Sequence, residues 1–119
     1  MAGAGWKRVA AFLPVNDGRQ IAAAEKVRQW VQTKISGQTR SANRPYVFEG
    51  FWYDEERDLV WNDQISILFV DTDLSPDRLH RFLEEMYIEV DTIYIEEMAR
   101  QELIWITVSD LSVPFPQGT

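Results

Sequence analysis

The sequence contains no cysteine and only one histidine among its 119 residues. Without cysteine the chain has no disulfide framework, no thiolate nucleophile and no cysteine-based zinc site. Its uninterrupted apolar runs reach about six residues, far short of a membrane span. Pro14, Asn16 and Asp17 also break the apolar start that a signal peptide would need. These absences predict a cytoplasmic protein that works without a membrane, a metal ion or another cofactor.

The formal net charge of −7 conceals an uneven distribution along the chain. Residues 1–45 carry eight lysines and arginines against two acids, whereas residues 46–119 carry four arginines against seventeen acids. The basic residues are spread along folded-looking sequence instead of forming a tail, so we expect one half of the fold to neutralise the other. The overall negative charge repels phosphate backbones, which argues against nucleic acid as a partner.

Hydrophobic spacing in the first third of the chain predicts a strand followed by a helix. The strand covers residues 7–13 and ends at a proline. The helix covers residues 19–35, because its apolar side chains recur at intervals of three and four. Either Asn16 or Asp17 would cap its first turn.

The middle of the chain predicts a hairpin rich in aromatic residues. Residues 46–53 form its first strand and residues 54–57 its turn. The return strand starts at 58–61 and is most regular at 64–70. Between these two parts, Asn62–Asp63 is a candidate β-bulge.

The last third predicts a second helix and a final strand. The Ser-Pro-Asp sequence at 75–77 is typical of a helix start. The helix reaches at least Glu89, and its period favours continuation to Arg100 over a break near Asp91. Residues 102–109 predict the final strand.

The resulting order is β-α-β-β-α-β, which predicts a ferredoxin-like α+β sandwich. It has a four-stranded antiparallel sheet with two helices on one face, in a single domain spanning residues 1–119. Residues 1–5 would be a flexible start and residues 110–119 an irregular tail that contains proline. The order resembles that of small trimeric signalling proteins of the PII and CutA type, and equally that of dimeric α+β barrel proteins. This likeness concerns the fold and carries over no site residue.

Both faces of the predicted strands are apolar, although one sheet face of this fold is normally open to water. The last strand illustrates this pattern. It has Leu103, Trp105 and Thr107 on one face, and Ile104, Ile106 and Val108 on the other. Because the chain has no spare element large enough to cover the open face, we expect a homodimer or homotrimer built sheet to sheet.

Two residues are candidates for acid–base chemistry. Glu49 lies in the middle of an apolar strand, where burial would raise the pKa of its carboxyl group. The favoured alternative is that it faces solvent at a sheet edge or pairs with an arginine such as Arg44. His80, the one histidine, borders the apolar stripe of the second helix and could act as a general base. Neither has a partner in the sequence that would complete a catalytic set, so the residues favour a protein without catalytic activity.

Three acids at the end of a strand, Asp71, Asp73 and Asp77, have oxygens that a hard cation could bind. The same residue types are what a helix N-terminus requires. We therefore interpret the cluster as helix capping and predict no metal site.

Two further groups could bind a ligand. Lys34, Arg40 and Arg44, in and before the polar loop at 36–45, could bind an anion, although no glycine-rich cradle accompanies them. A set of aromatic side chains on the central hairpin could instead line a pocket for a small molecule. That set consists of Phe48, Trp52, Tyr53 and Trp61.

These observations support three hypotheses about function. The first is an oligomeric regulatory or protein-interaction module without catalytic activity, whose partners are its own copies and possibly another protein. The second is a cofactor-free enzyme of the dimeric α+β barrel type, acting on an apolar or aromatic small molecule. The third is an anion or nucleotide sensor that uses the basic loop at 36–45.

Overall fold

A computed structural model of the protein describes residues 5–34, 41–42, 46–97 and 104–111. The described elements follow the predicted order, with one short strand added. In chain order they are β1 (Lys7–Pro14), α1 (Gly18–Gln32), β2 (Ser41–Ala42), β3 (Tyr46–Asp54), β4 (Leu59–Thr72), α2 (Pro76–Glu96) and β5 (Trp105–Asp110). The two-residue strand β2 is the addition, because a pairing this short leaves no hydrophobic period in the sequence.

The strands form one antiparallel sheet around β4, the longest of them with 14 residues. β1 lies along one edge of β4, and its pairing extends from Lys7↔Thr72 to Pro14↔Ile65. β2 and β3 both pair with β4, while β5 pairs with β1. The sheet therefore has five strands, the four predicted ones and β2, and the predicted ferredoxin-like α+β fold is confirmed.

Both helices pack on the same face of this sheet. The strands contribute the odd-numbered residues of β1 and the even-numbered residues of the second half of β4, as strand alternation requires. The buried core consists of Val9, Ala11, Leu13, Ala23, Ala24, Val27, Val31, Leu68, Val70, Leu79, Phe82, Met86, Val90, Ile93 and Tyr94. Trp30 of α1 stacks on Phe82 of α2 with ring centroids 6.2 Å apart, which joins the two helices above the sheet.

The hairpin of β3 and β4 has no bulge, contrary to the prediction for Asn62–Asp63. Its register runs without interruption from Tyr46↔Ile67 to Asp54↔Leu59. The tight turn fixes this register, because Asp54 Oδ1 accepts hydrogen bonds from the main-chain N–H groups of Glu56 and Arg57 at 3.1 and 3.3 Å. Asp58 completes the turn with a positive φ of 50°.

The first helix begins as predicted and ends earlier. Asp17 is its N-cap and accepts a hydrogen bond from the Gln20 main-chain N–H at 2.8 Å. The helix stops at Gln32, not at residue 35, because the Thr33 N–H turns back to the Trp30 carbonyl at 3.0 Å and the Thr33 hydroxyl donates to the same oxygen. Residue 35 lies outside the described residues.

The second helix is continuous through Asp91 to Glu96, so the alternative of a break near Asp91 is wrong. Val90, Ile93 and Tyr94 are buried and hold this part of the helix on the core. Residues 98–100, over which the longer helix was expected to run, lie outside the described residues.

The predicted neutralisation between the two halves occurs across the helix layer. Lys34, just after α1, pairs with Glu85 of α2 at 2.6 Å, and Lys26 of α1 pairs with Glu97 just after α2. These pairs join the basic first helix to the acidic second helix, although such partly exposed pairs each contribute only about 0–1 kcal/mol.

Candidate functional site

The sheet face opposite the helices is apolar and partly open. Phe12, Ile65, Ile67 and Phe69 are only partly buried there, because nothing in the described part of the chain packs over them. Trp105 of β5 lies opposite Phe12 in the register and is 62 % exposed. The face therefore presents aromatic and branched side chains to water, as the strand pattern predicted.

A charged pair borders this open face. Arg8 donates two hydrogen bonds to the Asp71 carboxylate, from Nε to Oδ1 at 2.8 Å and from an Nη to Oδ2 at 3.0 Å. The guanidinium also lies 4.8 Å from the ring centroid of Phe69. The hydrogen bond to Asp71 raises the pKa of Arg8, so the guanidinium keeps its charge at physiological pH.

The outer half of the β3–β4 hairpin extends beyond the rest of the sheet. Because β1 leaves β4 at Ile65, residues 49–54 and 59–64 pair only with each other; we name them the β-arm. Alternation places its side chains on two faces, and both faces are apolar. The large apolar residues that are most exposed on the β-arm are Phe51, Tyr53, Leu59, Val60 and Trp61.

The aromatic residues predicted to line a pocket do not converge. Phe48 and Trp61 lie on the side of the open face, while Tyr53 lies on the opposite side. Tyr53 donates its hydroxyl proton to Asp58 at 2.6 Å, and the Trp61 indole N–H donates to Asp54 at 3.3 Å. The side chain of Trp52 lies outside the described part of the structure. The three described side chains therefore do not all share one face, because alternate strand residues point to opposite sides, and the pocket stays a prediction.

The two acid–base candidates are both exposed and on different elements. Glu49 of the β-arm contacts the Gln64 side-chain amide at 3.4 Å. His80 of α2 contacts Glu84, one turn later, at 2.6 Å. The burial that an acid–base role of Glu49 would need is absent, since no helix in the described part of the chain lies over the β-arm. The pair forms no common site.

Of the three predicted anion-binding residues, only Lys34 is described. Its ammonium group lies 2.6 Å from the Glu85 carboxylate and 5.2 Å from the ring centroid of Trp30. Arg40 and Arg44 lie outside the described residues. The anion-binding prediction for these three residues stays a prediction.

The structure brings together a basic group that the sequence analysis overlooked. Arg78 and Arg81 of α2, with Leu74 and Glu85, line a concave site of about 300 Å³. The arginines lie three residues apart and therefore on one side of the helix. The i, i+3 spacing is visible in the sequence, but local spacing does not show that the two arginines lie beside a concavity.

Within the described ranges, no group of three or more histidine, aspartate and glutamate side chains could hold a metal ion. Neither described helix is both long and apolar enough to cross a membrane.

No protein-family model matches the chain, and no curated protein matches it in sequence. Several solved structures have a similar fold, and three of them illustrate it. A phage SAM lyase in complex with S-methyl-5'-thioadenosine is 11 % identical, with a TM-score of 0.58 over 89 % of this chain and 81 % of that one. The divalent ion tolerance protein CutA1 from Ehrlichia chaffeensis is 11 % identical, with a TM-score of 0.56 over 95 % and 87 % of the two chains. The divalent cation tolerance protein Cut A1 from Thermus thermophilus is 12 % identical, with a TM-score of 0.53 over 96 % and 87 %. The chain shares the α+β fold of these proteins.

Proposed function

We propose that the protein is a small self-associating module that acts through regulatory or protein–protein contacts and not through catalysis. The observation that carries this proposal is the apolar surface of the sheet. Trp105 is 62 % exposed on the open face, and Phe51 and Val60 are each 67 % exposed on the β-arm. Apolar groups of this size, gathered on one layer of a small protein, are typical of an interface.

A second copy of the chain is the occupant that we propose for this surface. The open face is made of strands, which suits the packing of one sheet on another. The β-arm projects from the sheet with apolar residues on both sides, and an isolated two-stranded hairpin is only marginally stable in water. Contact with another copy would bury both features at once.

The fold by itself does not decide between a module and an enzyme. The structures of similar fold include a lyase and divalent cation tolerance proteins, so one architecture serves different purposes. The argument for a module therefore rests on this chain's own surface. We do not carry forward the enzyme hypothesis, because Glu49, Tyr53 and His80 face water at separate places.

Light scattering coupled to size-exclusion chromatography tests the proposal. At micromolar concentration we expect two or three times the chain mass of 13.9 kDa. Trp105→Glu places a charge on the open face, within the proposed contact, and should shift the mass towards that of the monomer. Ile88→Glu is the matched control, because Ile88 is 67 % exposed on α2. A wild-type protein that stays monomeric over the whole concentration range would refute self-association.

A further inference from the structure

A groove in the helix layer has the composition of an anion site. It lies beside the first half of α2 and is lined by Leu74, Arg78, Arg81 and Glu85. Lys34, just after α1, contacts the Glu85 side chain of this lining at 2.6 Å. Two arginines thus line a concave volume of about 300 Å³, and a lysine pairs with its one acidic residue.

The two arginines of the groove are available to a ligand. Neither guanidinium makes an ion pair or a hydrogen bond within the described residues, whereas Arg8, Arg28 and Arg57 each contact a carboxylate. A guanidinium offers paired N–H donors in a plane, which matches two oxygens of a phosphoryl group. Two such groups one helical turn apart could contact one phosphoryl group from two directions.

Glu85 does not cancel the positive charge of the two arginines in the groove, because it pairs with Lys34. Its carboxylate holds the Lys34 ammonium group at the groove, where the Trp30 ring also stabilises that cation at 5.2 Å. With Lys34 counted against Glu85, both arginines remain uncompensated by the lining residues. The lining residues thus keep an excess of positive charge in a chain with a net charge of −7.

We propose that this groove binds the phosphoryl group of a small phosphorylated molecule. Arg78 and Arg81 hold the phosphoryl oxygens, and Leu74 offers an apolar wall to the remainder of the ligand. The distance along α2 from Arg78 to Glu85 is about 10 Å at 1.5 Å per residue, which accommodates a molecule of mononucleotide length. Glu85 lies at the far end, where its carboxylate can accept a hydrogen bond from a hydroxyl or amino group.

The site is independent of the proposed self-association. Its residues belong to α2, to the segment just after α1 and to the segment before α2, whereas the proposed contact surface is the opposite face of the sheet and the β-arm. A ligand bound in this groove could therefore regulate the proposed module without occupying its self-association surface.

Isothermal titration of the full chain with inorganic phosphate, AMP and ATP tests the proposal. We expect binding in the millimolar range or tighter at low ionic strength, weakening as salt is added. The double variant Arg78→Gln/Arg81→Gln should weaken binding at least about tenfold. If AMP and ATP bind more tightly than phosphate, the Leu74 wall contributes to recognition. If all three bind equally, the phosphoryl group alone is recognised. Both outcomes support the site.

The control removes the same charge elsewhere. Arg19 is exposed at the start of α1 and Arg57 is exposed in the hairpin turn, so Arg19→Gln/Arg57→Gln should leave the affinity unchanged. Equal weakening in the two double variants, or no binding of any of the three probes, would overturn the proposal. The molecular mass of each variant, measured in parallel, keeps this result separate from self-association.

Discussion

The Tyr94 hydroxyl donates a hydrogen bond to the main-chain carbonyl of Pro14 at 2.9 Å, tying the last turns of α2 to the end of β1. Tyr94 has no exposed surface, so this polar group is satisfied inside the core. The contact fixes where the long helix lies on the sheet, because Pro14 is also the residue at which β1 leaves β4. Tyr94 therefore combines a large apolar body with one specific anchor.

Removal of this hydroxyl group should destabilise the fold. Tyr94→Phe leaves the Pro14 carbonyl without its buried donor, and we expect a loss of about 1–2 kcal/mol in the free energy of unfolding. Urea denaturation followed by far-ultraviolet circular dichroism measures the change. Tyr87→Phe is the matched control, since Tyr87 is 49 % exposed and its hydroxyl contacts the Ile106 carbonyl at 3.3 Å. An equal loss in both variants would contradict the assigned role of the buried bond.

Burial raises the pKa of Tyr94 well above its ordinary value of 10.0, because the phenolate would be desolvated in the core. Below about pH 10 both the folded and the unfolded chain hold the Tyr94 proton, so Tyr94 contributes no pH dependence of stability there. Above that pH the unfolded chain releases the proton while the folded chain keeps it, and stability should fall as pH rises. The fall should be steeper in the wild-type protein than in Tyr94→Phe, as denaturation at a series of alkaline pH values would measure. Parallel curves would argue against a buried phenol.

The two helix starts have different capping, which sets up a matched comparison. Asp17 accepts a hydrogen bond from the Gln20 N–H at 2.8 Å, and Gln20 in turn accepts one from the Asn16 N–H at 2.8 Å. Ser75 caps α2 by position but makes no side-chain hydrogen bond to it. We expect Asp17→Ala to cost about 1 kcal/mol of unfolding free energy and Ser75→Ala to cost much less. The same denaturation assay measures both, and a reversed order would contradict the capping geometry.

The pattern of the sequence was sufficient for the architecture because hydrophobic period and turn residues act locally. Val9, Ala11 and Leu13 alternate with Phe12 in the sequence, and the structure puts the first three in the core and Phe12 on the open face. The role of Tyr94 was not foreseen, because the segment around it fits a strand as well as a helix until α2 is packed on the sheet.

The candidate sites depend on more than the local pattern for a related reason. Strand period alone cannot say whether a hairpin is covered, and in the described part of the chain Glu49 of the β-arm is exposed. The charge of the groove beside Arg78 and Arg81 likewise depends on packing. Lys34, just after α1, lies beside Glu85, and these two residues are 51 positions apart in the sequence. Such long-range contacts are fixed by the packing of elements and not by local spacing.

The β-arm provides a test of self-association that does not involve the open face. Val60 is 67 % exposed, so Val60→Lys removes little from the core of a single chain and should leave its unfolding transition unchanged. If another copy covers the β-arm, a lysine there would have to be desolvated, and we expect at least about tenfold weaker self-association. Sedimentation equilibrium measures this directly. Glu55→Lys is the control, since it introduces the same side chain in the exposed turn next to the β-arm. Unaltered association of Val60→Lys, alongside weakened association of Trp105→Glu, would confine the contact to the open face and exclude the β-arm from it.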